Sequence, residues 1–236
     1  MNGVTFGDKH SYRDWGLILK TRPVISPPTP KTVYIDVPGS DGSLDLTESL
    51  TGDVKFENRK ITCEFNVLDA RRRWSNIYSE ILDHLHGQQM NIIFDEDPTY
   101  FYTGRVQVNE WKSDKKTSLI TIEGTVEPYK LEQFGSLDRW RWDPFNFETG
   151  IIRNYGDLVV NGSLEFIIEG NRKPVVPAFV VTLEEGGSMT VAFEGTTYTL
   201  VEGTNRVVNI KIKNGTNILT FTGNGTISID YRGGRL

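Results

Sequence analysis

Histidines, cysteines and clustered carboxylates are the side chains that could bind a metal ion or perform acid–base chemistry, and this chain has few of the first two. Its 236 residues include three histidines, His10, His84 and His86, and one cysteine, Cys63. His84 and His86 lie two positions apart in a segment with helical spacing, where such side chains point about 200° apart. One ion therefore cannot bind both, and we predict no metal site and no cofactor.

Short motifs of catalytic sites are also absent. The sequence contains no Gly-x-Ser-x-Gly, no Gly-x-Gly-x-x-Gly, no phosphate-binding loop and no His-Glu-x-x-His. Cys63 lies in an alternating run between Ile61 and Phe65, so we interpret it as a small buried hydrophobic residue. We predict that the protein is not an enzyme. A hydrolase with paired carboxylates stays open as an alternative, because that mechanism has no short local signature.

Short alternating runs bounded by Gly, Asn, Pro and Asp dominate the chain and predict strands. In the first half these strands are predicted at residues 33–37, 54–56, 60–67, 90–94, 100–108 and 118–126. In the second half they are predicted at residues 151–153, 164–169, 178–183, 188–193, 197–201, 206–212, 217–222 and 226–231.

A single segment has helical spacing instead. Between Asp69 and His86 the apolar residues recur at i, i+3, i+4 and i+7, with Asp69 placed as the N-cap and Gly87 just past the end. An amphipathic helix must bury its apolar stripe, and the neighbouring strands offer the surface for it. The predicted fold class is therefore mainly β with one helix, an α+β domain followed by an all-β sandwich.

The composition changes after Leu131, which divides the chain into two predicted domains. Residues 134–150 combine Gly, Pro and five aromatic residues without clean periodicity, as expected of a linker that packs on a domain. The predicted domains are residues 1–133 and 151–236. Three Asn-Gly pairs follow in the second domain, and we interpret them as turn positions and not as glycosylation sites. They begin at Asn161, Asn214 and Asn224.

A segment rich in turn-forming residues interrupts the first domain. Residues 38–53 are too long for a tight hairpin and predict a projecting arm or extended loop.

The charge distribution argues against nucleic-acid binding. The net charge is −5, of which residues 1–135 carry −4 (16 Lys+Arg against 20 Asp+Glu) and the remainder −1 (10 against 11). Proteins that grip phosphates cluster Lys and Arg instead. No run of about 18 apolar residues suggests a membrane span, so we predict no membrane insertion. The first ten residues lack a secretory signal pattern, and we expect synthesis in a cytoplasm.

Five segments together carry a family resemblance. They are residues 10–19 (HSYRDWGLIL), 33–47 (VYIDVPGSDGSLDLT), 56–61 (FENRKI), 154–157 (NYGD) and 217–236 (NILTFTGNGTISIDYRGGRL). In their order, and over nearly the whole chain, they resemble the distal tail proteins, the Dit family, of siphophages or prophages of Gram-positive bacteria. None of the segments is a catalytic motif.

The resemblance implies a tail-tube-like N-terminal domain and a galectin-like C-terminal β-sandwich. It implies a homo-hexameric ring at the virion tail tip, assembled in the host cytoplasm, with the arm at residues 38–53 reaching a neighbouring subunit. The candidate inter-subunit residues on this arm are Gly39, Asp41, Gly42, Leu44 and Leu46. It also implies a major tail tube protein on one side, and a hub or fibre protein of the baseplate and a receptor-binding protein as further partners. DNA would pass through the ring's channel without specific binding.

The alternative function is a carbohydrate-binding module for host attachment. Galectin-like sandwiches often bind sugars through histidines and aromatic residues on adjacent strands. The second half of this chain has no histidine, and its two tryptophans, Trp140 and Trp142, lie in the predicted linker. The sequence therefore favours the structural role.

Overall fold

The computed structural model describes residues 3–49, 51–67, 74–113, 118–139 and 150–236. In these residues the chain is mainly β with a single α-helix, which confirms the predicted fold class. The chain forms two compact units. The first unit holds Met1–Asp97 and Tyr102–Pro128, and the second holds Pro98–Phe101 and Tyr129–Leu236. The tail-tube-like and galectin-like relationships of the two domains stay predictions.

Eighteen strands and the helix can be followed along the described residues. The first part of the chain contains β1 (Val4–Phe6), β2 (Lys9–His10), β3 (Leu17–Leu19), β4 (Val24–Ile25), β5 (Tyr34–Asp36), β6 (Ser43–Asp45), β7 (Arg59–Val67), α1 (Trp74–Leu85), β8 (Gln89–Phe94), β9 (Tyr100–Ser113) and β10 (Ser118–Val126). The remainder contains β11 (Lys130–Glu132), β12 (Leu158–Gly170), β13 (Ala178–Leu183), β14 (Met189–Phe193), β15 (Thr196–Leu200), β16 (Gly203–Asn205), β17 (Gly215–Asp230) and β18 (Gly234–Arg235).

The first unit is an antiparallel sheet with one helix packed on its core. The strand order is β2-β1-β8-β9-β10-β7-β3, and β4 also pairs with β7. The apolar stripe of α1 buries Ile77, Ile81 and Leu85 in the same cluster as Cys63 and Phe65 of β7. Each such side chain contributes about 1.5–3 kcal/mol on burial, so packing and not helix propensity stabilises α1.

The predicted helix is confirmed in its described part. It runs over Trp74–Leu85 and ends one residue before His86, where the sequence predicts its end. The predicted N-cap, Asp69, lies outside the described residues. Cys63 is fully buried, as predicted, and its burial raises the pKa of the thiol to about 12.

The second unit is built on the long strand β17. β17 pairs with β12 along thirteen residue pairs, and on its other side with β14 and then β13. The full order is β15-β14-β17-β13-β16, with β12 added beside β17. Its core cluster includes Phe179, Phe221 and Tyr231, all fully buried.

The two strands predicted at residues 217–222 and 226–231 are one strand, so the turn predicted at Asn224-Gly225 is wrong. Gly223 and Gly225 have φ of 140° and 148° within β17. A Cβ at Gly223 would lie 2.1 Å from the Ser188 carbonyl oxygen, and one at Gly225 would lie 2.3 Å from the Thr182 carbonyl oxygen. The glycines therefore let neighbouring backbone approach closely, and the strand continues through them. The Asn161-Gly162 pair likewise lies inside β12 and not in a turn.

Other predicted strands also differ from the structure. Residues 151–153 and 206–212 form no strand, and residues 54–56 contribute only the isolated bridge between Pro30 and Phe56. In the 206–212 segment Ile210 and Ile212 are buried in alternation, but Ile210 closes a turn by donating to the Val207 carbonyl. Ile212 forms an isolated antiparallel bridge with Val175, so the segment pairs at this one residue and does not continue as a strand.

Candidate subunit interface

One hairpin of the first unit pairs with no other strand of the described structure. β5 and β6 pair only with each other in the described structure, in the register Tyr34↔Asp45, Ile35↔Leu44 and Asp36↔Ser43. Every residue from 31 to 45 is exposed. A two-stranded hairpin of this size is only marginally stable by itself in water.

Backbone hydrogen bonds fix the base of this hairpin. The Lys31 N–H donates to the Lys55 carbonyl and the Glu57 N–H donates to the Thr29 carbonyl, both at 2.8 Å. Higher up, the Leu46 N–H donates to the Val33 carbonyl at 2.8 Å. Two antiparallel legs thus run from residue 29 to residue 57. We call residues 29–57 the arm.

The arm exposes an unusual amount of apolar surface. Five large apolar side chains are about half exposed in this single chain, on both strands and their flanks. They are Val33 (49%), Tyr34 (59%), Ile35 (48%), Val37 (45%) and Leu44 (54%). Large exposed apolar patches in soluble proteins often mark protein–protein contacts. The exposed apolar side chains therefore make the arm a candidate subunit interface.

The charged side chains of the arm are all acidic at its outer end. Residues 33–49 contain Asp36, Asp41, Asp45 and Glu48 and no Lys or Arg. The Ser43 hydroxyl donates to the Asp36 carboxylate at 2.5 Å, which ties the two strands together. Hydrogen bonds from the side chain and backbone of Thr47 lower the pKa of Asp45, so this carboxylate is ionised at neutral pH.

All five candidate inter-subunit residues from the sequence lie on this hairpin. Gly39 and Gly42, with φ of 81° and 74°, form the connection between β5 and β6, and Asp41 is exposed beside them. Leu44 is exposed in β6, whereas Leu46 is half-buried at the end of the hairpin. Their role between subunits stays a prediction.

Sequence reasoning missed the first leg of the arm. Residues 38–53 were predicted as an extended loop, but β6 lies inside that range and pairs with β5, so the segment is one side of a hairpin. The alternating run from Val33 to Val37 was predicted as an ordinary strand. Its pattern could have identified the hairpin only if the short run Ser43–Asp45 had been recognised as its partner.

The histidines make structural contacts. The Nδ1 atom of His10 accepts the N–H groups of Tyr12 and Arg13, each at 3.1 Å, and its Nε2 atom lies 3.1 Å from the Asp95 carboxylate. His84 lies beside Phe6 and Asp8, whereas His86 accepts the N–H of Val108. The two helix-end histidines therefore face different neighbours, as the sequence predicts. In the described part of the chain no three His, Cys, Asp or Glu side chains gather as metal ligands would.

The second unit offers little for sugar stacking on its described surface. Its exposed large apolar side chains are all aliphatic, for example Ile152, Val159, Ile167 and Val208. Sugar sites use aromatic faces, and Trp140 and Trp142 lie outside the described residues. No helix among the described residues has the length and apolar character needed to cross a bilayer.

The fold is similar to that of a phage protein of known structure. No protein-family model matches the chain, and no curated protein matches it by sequence. Among solved structures, the fold is similar to the crystal structure of the Dit protein of phage SPP1, described as a paradigm of the hub adsorption apparatus in phages that infect Gram-positive bacteria. The TM-score is 0.59 at 10% sequence identity, over 100% of both chains. At this identity the likeness shows a common fold.

Proposed function

We propose that this chain is a structural subunit of a siphophage tail-tip hub, a distal tail protein that joins the tail tube to the baseplate or fibre. The observation that carries the proposal is the common fold with the SPP1 hub protein over the full length of both chains. The family resemblance of the sequence segments adds independent support. In this role the protein is not an enzyme and belongs to the virion tail.

The arm supplies the physical means of assembly. A closed ring needs a heterologous interface, in which one surface of a subunit meets a different surface of the next. Burying the exposed halves of Val33, Tyr34, Ile35, Val37 and Leu44 would contribute about 1 kcal/mol each. Repeated around a ring of six copies, such contacts add up, because every subunit is held at two interfaces. We propose that the arm makes this contact and that the ring is hexameric.

The remaining features follow from a ring placed on the path of the genome. A first half with net charge −4 suits the wall of a channel, because negative walls repel phosphates and do not retain DNA. The proposed partners are the tail tube protein on one face and a hub or fibre protein, with a receptor-binding protein, on the other. The host class, Gram-positive bacteria, is proposed from the same likeness.

Negative-stain electron microscopy of the concentrated, purified protein tests the proposal. Six copies of the 26.7 kDa chain would weigh about 160 kDa and appear as rings with a central hole. A chain lacking residues 41–51 keeps the core of both units and is the matched control, since we expect it to fold and not to form rings. Rings of the same size from both proteins would contradict the role of the arm.

A further inference from the structure

One arginine of the first unit is buried without an acceptor for its donors. Arg59, the first residue of β7, is 7% exposed. Its Nε and Nη2 atoms are fully buried and have no hydrogen-bond partner among the described residues. The third nitrogen, Nη1, has no partner there either but is not fully buried. A buried guanidinium of this kind lowers the stability of a fold and marks a candidate ligand site.

The acidic side chains close to Arg59 pair with other cations. Glu57, two residues earlier, lies 3.7 Å from the Lys31 ammonium group. Glu123 of β10 lies 2.8 Å from Lys60, and the alternation of side chains along β7 places Lys60 on the opposite face of the sheet from Arg59. Within the described part of the chain no carboxylate forms an ion pair with Arg59. The described chain therefore does not supply its counter-charge.

Tyr102 of β9 is the aromatic neighbour of this guanidinium. The Arg59 Cζ atom lies 5.1 Å from the centre of the Tyr102 ring. Burial lowers the pKa of Arg59, Tyr102 acts against that shift, and no carboxylate contributes to it. Asp97 instead acts on Tyr102, where it adds to the rise that burial causes in the pKa of the phenol. The ring attracts the cation but leaves the Nε and Nη2 donors unused.

The two unused donors select the chemistry of a ligand. The Nε–H and one Nη2–H of a guanidinium point the same way along one edge of the planar group, and they fit the two oxygens of one carboxylate or phosphate. A phosphate group carries close to two charges at neutral pH and is bound by clusters of cations. Arg59 is alone, because Lys31 and Lys60 already pair with carboxylates. A single carboxylate balances its charge.

The sheet fixes the backbone of Arg59 beside the arm. Its Cα atom is paired with that of Val126 on β10. On the other side of β7, the Ser26 N–H donates to the Lys60 carbonyl at 2.9 Å. The arm, residues 29–57, ends two positions before Arg59. The unused donors therefore lie on a side chain anchored next to the candidate subunit interface.

We propose that Arg59 is a binding site for a carboxylate that this chain does not itself supply. The carboxylate meets the guanidinium at Nη1, and the side chain turns Nε and Nη2 toward it at the cost of one ring contact with Tyr102. Its source is either an acidic side chain of a partner chain or a small free carboxylate. The site follows from contacts inside the first unit, so it stands independently of the proposed hub function.

Nuclear magnetic resonance of the Arg59 Nε–H group tests the site directly. The wild-type chain is titrated with sodium acetate and, in parallel, with sodium chloride at the same ionic strength. Arg59→Lys keeps the charge and loses the paired donors, so the signal that disappears in this variant belongs to Arg59. We expect that signal to move saturably with acetate and not with chloride.

Arg59→Met separates a ligand site from a structural role. Because methionine removes an unpaired buried cation and keeps apolar volume, we expect the thermal midpoint in chloride to stay the same or rise. Acetate at about ten times its Kd should raise the wild-type midpoint by about 3–6 °C and leave that of Arg59→Met unchanged. Arg22→Met, at an exposed arginine paired with Glu96, is the control and should keep the wild-type response to acetate.

Subunit association, measured by sedimentation, distinguishes the two sources of the carboxylate. If a partner chain supplies it, Arg59→Met weakens association about tenfold or more and Arg22→Met does not. If the ligand is a small carboxylate, acetate binds and association is unchanged. Both results support the site. If Arg59→Met fails to fold, Arg59→Lys takes its place. A wild-type Nε–H signal that ignores acetate, together with equal association of the wild type and the Arg59 variant, overturns the proposal.

Discussion

The hairpin β5–β6 and the strand pair β12–β17 use the same antiparallel pairing in opposite ways. Along β17 alternate side chains are buried in the core of the second unit, and β12 covers one of its sides over thirteen pairs. Along β5 and β6 every residue is exposed, including the apolar residues Tyr34, Ile35 and Leu44. Apolar residues in a strand therefore do not by themselves show that the same chain buries them.

A buried ion pair lies at the end of β12, and the hairpin has no such pair. Arg153, whose side chain is 3% exposed, lies 2.9 Å from the Glu132 carboxylate and donates to the Glu169 carbonyl at the end of β12. Glu132 also accepts from Asn171 at 2.8 Å. These contacts join three separate segments of the second unit. They should therefore be the most costly contacts to remove.

Arg153→Met gives the largest expected effect. It leaves the Glu132 carboxylate buried without its counter-charge, and we expect the free energy of unfolding to fall by about 3–5 kcal/mol. Denaturant unfolding followed by circular dichroism measures the change. Lys20→Met breaks the exposed Lys20–Glu64 pair at 3.1 Å and is the control, with an expected loss below about 1 kcal/mol. Equal losses from both would refute a structural role for the buried pair.

Both β17 and the β5–β6 hairpin contain a glycine with positive φ, and we expect replacement by alanine to destabilise the protein more in β17 than in the hairpin. Gly223→Ala places a Cβ against the Ser188 carbonyl, and we expect a loss of at least about 3 kcal/mol of folding free energy. At Gly39 no atom lies within 4 Å of the added Cβ. Gly39→Ala strains only the hairpin connection, by about 1 kcal/mol, and should leave the global unfolding midpoint unchanged. A larger loss at Gly39 would mean that the arm is part of the folded core.

Leu44→Ala should weaken subunit association and leave folding almost unchanged. Because Leu44 is 54% exposed in the single chain, its truncation should change the free energy of unfolding by less than about 0.5 kcal/mol. We expect subunit association, measured by sedimentation, to weaken about tenfold. Val208→Ala, 69% exposed in the second unit, is the control and should change neither quantity. If Leu44→Ala lowers the free energy of unfolding but leaves subunit association unchanged, the hairpin serves folding and not assembly.

The smallest effect concerns the pH dependence of the hairpin. Thr47 lowers the pKa of Asp45 below its ordinary value of 3.8, so ionised Asp45 stabilises the end of the hairpin. That stabilisation is complete above the ordinary pKa and is lost as the pH falls through the lowered one. The Thr47 amide hydrogen should therefore become more protected from exchange as the pH rises from about 2 to 5. Asp41→Asn is the control and should preserve this profile, whereas Asp45→Asn should abolish it.

The sequence predicts the features that depend on neighbours close along the chain. The apolar spacing of Ile77, Ile81 and Leu85 identifies α1, and the alternation around Cys63 identifies β7, because each burial pattern repeats within a few residues. The continuity of β17 could not be predicted this way. Asn224-Gly225 has the chemistry of a turn, and its place inside a strand depends on backbone of Ser188 and Thr182, which are distant in sequence and lie close to the two glycines.

The arm shows a second limit of local pattern. The run from Val33 to Val37 alternates like a core strand, so its sequence predicts a strand correctly but not its exposure. Its pairing with Ser43–Asp45 joins two short runs across a turn-rich connection, and both runs are exposed in the described structure. The ring contact between Trp74 and Trp111 could not be predicted for a related reason, since the two residues are distant in sequence and meet only in the folded unit.

Native mass spectrometry of the wild-type chain beside the chain lacking residues 41–51 shows directly whether the arm drives assembly. We predict a hexamer for the wild type and a monomer for the deletion variant, with the same thermal unfolding midpoint for the cores of both. The arm would then be an assembly element and not part of the fold. Identical oligomeric states for the two proteins, or a deletion variant that fails to fold, would show that the arm does not have this role.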